Sequence, residues 1–519
     1  MGSMPRPRKI NPLHVITFFE ISGLFVVNMR MDVVCQQVFK ASQSRHCQIR
    51  NVTPNCGFAT GSKPEFPIVA ATLAPYLDIL GNERANVFNE PPQTTALWMV
   101  GAAVKILETQ ARSYGQQVVE YCCFRHLPWD YLGLRPLEYR LHLVGALANG
   151  AHPQVMGGFR YLDEDLQTVV RDLNSLQRRH PEVYCNSSSL ANVALLWPQA
   201  TADLGGTHTP ITPGNPRATG LSVVHDEFYG CAEALFRAGY AYDVIDDQAI
   251  EEGAQTLSRY DALILPCAQC LSGAACSAIE AYVRGGGHLV ATGTTSLCNE
   301  QDIARADFAL ARVFGATYGG RLIGPLPIDY LEITAPPSDD RFSAADRAAL
   351  LASIHHMVIP APLNAAAVEP RTAYTLAGYL KKPKTRYEPI VREKHPEAAI
   401  LVNRYGNGTC VFLPGVFGST YWLNRFPDYR KLLENAVRWR CEPQVSFEPT
   451  GGSTIPDTIE VSWRRAAGGD LLLHLVNHTG AMSRPIEQLL PIYNLRILLH
   501  ADAVPNGNLR AQALVSEPI

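Results

Sequence analysis

Apolar and polar positions change their period several times along this chain, and the changes divide it. Val193-Ala-Leu-Leu-Trp197 is an unbroken apolar run of strand length, and after a loop rich in Gly, Pro and Thr the residues Phe228, Cys231, Ala232, Leu235 and Phe236 recur at helical spacing within 227–238. Tyr242-Asp-Val-Ile245 and Asp261-Ala-Leu-Ile-Leu265 read as further strands. Residues 277–284 read as a helix closed by Gly285-Gly286-Gly287, and His288-Leu-Val-Ala-Thr292 as a fourth strand. Strands alternating with helices imply right-handed crossovers and a parallel, doubly wound sheet over about 190–320.

The earlier part alternates too. Residues 94–112 are apolar at helical spacing, and Gln117-Val-Val-Glu-Tyr121 is a strand. Pro136 opens a helix carrying Leu137, Leu141, Val144 and Leu147, and Asp163 caps one with Leu166, Val169, Val170, Leu173 and Leu176 on one face. Such repeats suit a (β/α) barrel, with its earlier strands expected at His14-Val-Ile-Thr-Phe18 and Leu24-Phe-Val-Val-Asn28. About 185 residues precede the middle domain, against roughly 250 for a complete barrel, so an incomplete TIM-type barrel is expected. Its open edges need a cover, and the weakly periodic residues 36–70, with His46, Cys47 and Cys56, are the expected one; the pocket should then be shallow and any catalysis in it weak or absent.

Beyond 320 the pattern fades through Pro336 to Pro370 and returns at Ala398-Ala-Ile-Leu-Val402 and Cys410-Val-Phe-Leu413, which read as a hairpin about Tyr405-Gly406-Asn407-Gly408. Residues 428–439 read as a helix. Ile459-Glu-Val-Ser-Trp463 and Leu471-Leu-Leu-His-Leu-Val476 place a small antiparallel β domain at the end. The expected domains are 1–185, 190–440 and 445–519.

Composition narrows the function. The 519 residues are 47% hydrophobic and 18% charged, with a formal net charge of −3 and no long run of one sign. A basic surface for nucleic acid or an anionic membrane is thereby disfavoured, and no apolar run has the length of a membrane span, so a cytoplasmic protein is expected. The 13 cysteines show no paired zinc spacing and are expected to be reduced; neither a metal nor a cofactor is called for. His355-His356 has no carboxylate at helical spacing to complete a metal site.

Several segments together resemble family 42 β-galactosidases and related bacterial glycosyl hydrolases. They are Tyr260-Asp-Ala-Leu-Ile-Leu-Pro266, Cys270-Leu-Ser272, Ile279-Glu-Ala-Tyr-Val-Arg-Gly-Gly-Gly287 and Leu289-Val-Ala-Thr-Gly293, followed by Pro396 to Gly406, Leu413-Pro-Gly415, Asn435-Ala-Val-Arg-Trp439 and Leu473 to Gly480. Tyr139 to Ala151 looks like the last barrel helix and strand. The resemblance implies a flavodoxin-like, class I amidotransferase-like middle domain that serves in the family for trimerisation, and hence a homo-oligomer, trimer or dimer, acting on a carbohydrate.

Glycoside hydrolysis needs two carboxyl groups about the anomeric carbon, and in a barrel they stand just past strand ends. Asn82-Glu83 and Asn89-Glu90 each match the Asn-Glu dipeptide that carries the acid in the family's clan. Glu83 is the first choice, Glu90 reading rather as an ordinary solvated loop acid. Glu120 lies on a late strand, where the resemblance places the nucleophile, although its apolar surroundings also suit a paired core acid. Asp78 and Asn82 beside Glu83, with Arg125, His126, Trp129 and Asp130 after the Glu120 strand, are candidate sugar contacts. The rival readings are a non-catalytic carbohydrate-binding or assembly protein with a degenerate barrel, and a glutamine amidotransferase using Cys267. The second requires a Cys-His-Glu constellation, and Pro266 and Ala268 flank Cys267 where glycines are usual.

Overall fold

The computed structural model describes residues 12–21, 24–31, 79–83, 96–112, 117–123, 134–156, 164–184, 187–204, 220–324, 326, 329–334, 342–380, 394–450, 454–478, 486–500 and 509–513. They form a mixed α/β protein around a nine-stranded sheet. Five strands of it run parallel, β7 (Val193–Trp197), β8 (Tyr242–Asp246), β9 (Ala262–Leu265), β10 (His288–Thr292) and β17 (Gly408–Leu413), in the spatial order β8-β7-β9-β10-β17. Taken by position in the chain this is the order 2-1-3-4-5, with one reversal beside the first strand. The sheet then continues antiparallel through β16 (Lys394–Tyr405), β15 (Tyr374–Leu380), β12 (Tyr330–Ile333) and β13 (Val358–Pro360). The β16–β17 turn fits the expected hairpin. Gly406 there has φ +60°, and a Cβ would come within 2.7 Å of the Arg284 carbonyl.

The apolar run of β7 is explained by burial on both faces, all five residues being buried. Val193, Leu195 and Trp197 enter one core with Phe228 and Leu235 of the Gly220–Arg237 helix and Leu432 and Leu433 of the Pro427–Arg438 helix. Ala194 and Leu196 enter the other, with Ile279 and Val283 of the Gly273–Gly285 helix. That helix starts a turn before the expected 277, because Ser272 caps it by accepting from the Ala275 N–H at 3.1 Å.

One helix crossing is made in backbone contact. A Cβ on Gly230 would lie 2.0 Å from the Gly418 carbonyl oxygen of the Phe417–Asn424 helix. One turn earlier, the fully buried Glu227 accepts the N–H groups of Gly418 (3.0 Å) and Ser419 (2.7 Å), where the helix dipole favours an anion. Gly230→Ala must separate these helices and is expected to cost about 2 kcal/mol or more in urea unfolding. An unchanged midpoint would show that the crossing yields freely.

Nearer the start, β3 (Ile79–Glu83), β4 (Gln117–Cys123) and β5 (His152–Met156) are adjacent and parallel, linked through the helices Met99–Arg112 and Pro136–Ala148 and followed by Glu164–Arg179. Trp98 joins this unit to the large sheet's core by stacking on Phe236, with ring centroids 5.3 Å apart and planes 7° apart.

The two segments expected as early barrel strands are strands of a different unit. β1 (Pro12–Ile21) pairs antiparallel with β21 (Ile492–His500), which also pairs with β18 (Val445–Pro449). β2 (Leu24–Met31) lies between β20 (Leu471–Asn477) and β22 (Leu509–Ala513), in a sheet completed by β19 (Ile459–Arg465) and β6 (Ser188–Ser189). β1 and β2 therefore belong with the C-terminal antiparallel β region and not with β3, β4 and β5. An apolar run specifies a strand, whereas its partner is chosen by the matching face and register of distant chain. β11 (Ala316–Ile323) and β14 (Ala365–Pro370) form a separate antiparallel pair. The expected edge cover, residues 36–70, lies outside the described residues.

Candidate functional site

Parallel strands present their carboxyl ends on one edge of a sheet, which is where (β/α) proteins build their chemistry. Glu83 is the last residue of β3, and Glu120 is the fourth of β4. In the parallel register Asn82 is paired with Glu120, and Glu83 with Tyr121. The backbone thus brings Asn82 and Glu120 to the same register row, with Glu83 one row on. Asp78, Glu90, Arg125, His126, Trp129 and Asp130 lie outside the described residues.

A buried ionic junction fixes this unit on the C-terminal β region. Lys105 and Glu108 stand one turn apart on the Met99–Arg112 helix, whose first six residues are apolar. Glu460 of β19 accepts from Asn149 Nδ2 at 2.8 Å and His478 Nε2 at 3.0 Å, and has the Lys105 ammonium at 4.0 Å. Burial pushes the Glu460 carboxyl up, but these partners outweigh it and hold it below its ordinary value. Burial likewise lowers Lys105, against the pull of Glu460, Asp243 and Glu108. Beside them Arg464 donates to Glu108 Oε1 (2.7 Å), the Asn149 carbonyl (3.0 Å) and the Ser187 carbonyl (3.0 Å). Gly101 leaves room for this junction, since a Cβ there would stand 2.2 Å from Glu460 Oε1. Sequence reasoning missed the junction, and its one local signal was two opposite charges inside an apolar helical stripe.

Cys267 follows β9 with φ +47°, a left-handed conformation at a strand exit that resembles the elbow presenting a nucleophile. The chemistry of such an elbow is missing. The thiol is buried, its backbone N–H donates to Thr292 Oγ1 at 3.0 Å, and Sγ lies 3.6 Å from Thr294 Oγ1. Burial first, then the charge of Glu227, raises its pKa to about 11. Among the described residues its polar neighbours are Thr292, Thr294 and Glu227, with no histidine to take its proton. We expect Cys267 to resist iodoacetamide at neutral pH until the protein unfolds; rapid native alkylation located there by mass spectrometry would contradict this. His356 Nδ1 is 2.8 Å from Asp428 Oδ2, and the N–H groups of His355 and His356 both donate to that carboxylate. Among the described residues no three His, Cys, Asp or Glu side chains are placed to hold a metal ion, and no helix is long and apolar enough to cross a membrane.

The parallel strands, the hairpin return through β16 and β17 and the closing helix Pro427–Arg438 lie within one continuous match to a known family. Residues 224–439 match the β-galactosidase trimerisation domain. Around that trimerisation domain the chain as a whole resembles family 42 β-galactosidases. The β-galactosidase of Bacillus circulans sp. alkalophilus superposes with a TM-score of 0.58 at 17% identity over 83% of this chain, and that of Rahnella sp. R3 with 0.55 at 17% identity over 82%. α-L-Fucosidase isoenzyme 2 from Paenibacillus thiaminolyticus gives 0.53 at 16% identity over 75% of this chain and 55% of its own. At these identities the likeness is one of fold. The chain spans 61% of the length of each of the two β-galactosidases. No curated protein matches its sequence.

Proposed function

We propose that this chain is a glycoside hydrolase-like protein acting on a β-galactoside or a related glycoside, with Glu83 and Glu120 as the acid and nucleophile pair. The observation that carries this reading is the parallel register of β3 and β4, which sets an Asn-Glu dipeptide at one strand's carboxyl end beside Glu120 on the next. Asp78, Asn82, Arg125, His126, Trp129 and Asp130 then supply the sugar site, and Glu90 is a loop acid held in reserve. The unit 79–184 is the late part of an incomplete (β/α) barrel. The two-faced sheet around 190–440 is an amidotransferase-like platform that assembles the chain into a trimer or dimer.

A second reading, a non-catalytic carbohydrate-binding or assembly protein, is favoured by the short stretch between β2, which pairs in another sheet, and β3. Only 47 residues separate Met31 from Ile79. At about 30 residues per βαβ unit they have room for one more β/α step between those two strands.

Hydrolysis of p-nitrophenyl β-galactoside by the purified chain distinguishes the two. Turnover that is weak, as the shortened barrel implies, and that falls at least about 100-fold in both Glu83→Gln and Glu120→Gln with unchanged unfolding midpoints, is the expected result. Full activity in Glu120→Gln would sink the assignment, and galactoside binding without turnover would establish the second reading. Light scattering that returns a 57.0 kDa monomer at micromolar concentration would refute assembly.

A further inference from the structure

Beyond the carboxyl ends of β9 and β10 the chain forms a small ladder of its own. Cys298 is bridged in parallel to Cys270 and antiparallel to Ala304. Its N–H donates to the Gln269 carbonyl at 2.9 Å and its carbonyl accepts the Leu271 N–H at 3.2 Å, which puts Cys270 and Cys298 in one row. Residues of one row send their side chains to the same face. Neighbouring extended segments stand about 4.8 Å apart, inside the Cα separation that a disulfide requires. Both cysteines are free thiols.

The two thiols are unlike. Cys270 donates its S–H to Asp302, with Sγ 3.4 Å from Oδ1. Asp302, at φ +60°, lies in a turn where Asn299 Oδ1 accepts the N–H groups of Gln301 (3.0 Å) and Ile303 (2.9 Å). A hydrogen bond from the Cys270 thiol, helped by the Arg305 charge, holds the Cys298 pKa below its ordinary value against burial and Asp302. The same bond, with burial and Asp302, pushes the Cys270 thiol far up. Because the thiolate is the nucleophile, Cys298 is the one to react and Cys270 the one to resolve. Both thiols are buried next to this turn, whose Glu300, Gln301 and Ile303 are exposed. A reagent therefore enters as the turn opens, and one little larger than water enters most readily.

We propose that Cys270 and Cys298 are a modification site, which hydrogen peroxide closes into an intramolecular disulfide. The Cys298 thiolate attacks one peroxide oxygen and the O–O bond breaks. The sulfur is oxidised to a sulfenic acid, and the departing hydroxide takes up the proton that Cys298 had released. The Cys270 sulfur then attacks Cys298 Sγ, passing its proton to the Asp302 carboxylate. The S–O bond breaks, and the hydroxyl leaves as water with that proton. Two thiols and one peroxide thus become one disulfide and two waters. The product ties the exit of β9 to the exit of β10, and no step involves Glu83 or Glu120.

The test treats the folded full chain with hydrogen peroxide at about 1 mM for about one hour, then digests it without reduction for mass spectrometry. A cross-link between Cys270 and Cys298, located by fragmentation and reversed by dithiothreitol, is the expected product, with Cys267 and Cys276 still thiols. In Cys270→Ser the cross-link should vanish and dimedone should label Cys298 as its sulfenic acid. In Cys298→Ser, Cys270 should stay unlabelled. Asp302→Asn keeps a residue suited to the left-handed backbone but removes the base, so dimedone labelling of Cys298 should rise at least about tenfold over the unchanged chain. A native chain without this cross-link, a cross-link that forms only in urea, dimedone on Cys270 in place of Cys298, or unchanged labelling in Asp302→Asn would each overturn the proposal.

Discussion

Arg464→Met is expected to cost about 3 to 5 kcal/mol of unfolding free energy, the usual result when one partner of a buried ion pair is removed. Arg464 is 3% exposed, and its guanidinium is shared between the Glu108 carboxylate and the carbonyls of Asn149 and Ser187. Methionine fills most of the volume but leaves an anion and two carbonyl oxygens facing apolar surface. Arg464→Lys keeps the charge without the planar fork and should recover only part of the loss. Urea unfolding of Arg464→Met, Glu108→Gln and the double variant gives the coupling between them. A loss below about 1 kcal/mol in Arg464→Met would mean that this junction does not hold the β3–β5 unit in place.

Acidification should be nearly as severe. His288 is enclosed at 2% exposure, with Nδ1 2.8 Å from the Thr409 hydroxyl and Nε2 2.6 Å from the Ala436 carbonyl, an arrangement satisfied by the neutral ring. Burial, partly opposed by the Ala436 bond, brings its pKa down to about 4. His474, buried on β20 with both ring nitrogens unpartnered, is brought down to about 3, first by burial and then by the Arg464 charge. In the unfolded chain both rings take up protons near pH 6.5, while in the folded chain they do so only near those lower values. The stability they provide is therefore complete above about pH 6.5 and declines as pH falls toward 4, each ring costing about 2 to 3 kcal/mol at pH 4.5. Glu460, held below its ordinary value, adds a further loss once the pH passes below the normal carboxylate range. Melting temperatures measured from pH 7 to 4.5 should fall steadily, and less steeply in His474→Gln. A flat profile above pH 5 would refute the account.

The large sheet was legible because its strands are covered on both faces. Val193–Trp197 and His288–Thr292 can be little else than buried strands, and the glycines after residue 284 mark a helix end that the φ of +125° at Gly286 requires. The closing hairpin was readable for a similar reason, since Gly406 and Asn407 sit between two apolar runs. What could not be read was partnership. Leu24–Met31 alternates no differently from a barrel strand, and only Leu471–Asn477 and Leu509–Ala513, more than 400 positions away, make it a strand of another sheet. The same limit applies to the candidate sites. Glu83 and Glu120 can be chosen as residue types near strand ends, whereas the row shared by Asn82 and Glu120 is a property of register.

The pairing of β1 with β21 and of β2 with β20 and β22 also sets a timetable for biosynthesis. These strands leave the ribosome long before their partners, which follow more than 400 positions later. At roughly 5 to 20 residues per second, the first two strands wait on the order of half a minute or longer, as apolar edges with nothing to pair with, while the large sheet between them folds. Closing that circuit also carries the entropic penalty of a loop of more than 400 residues. A nascent chain stalled before residue 470 is accordingly a substrate for holding chaperones. Emergence of the strands between Leu471 and Ala513 is the step at which those edges stop being sticky.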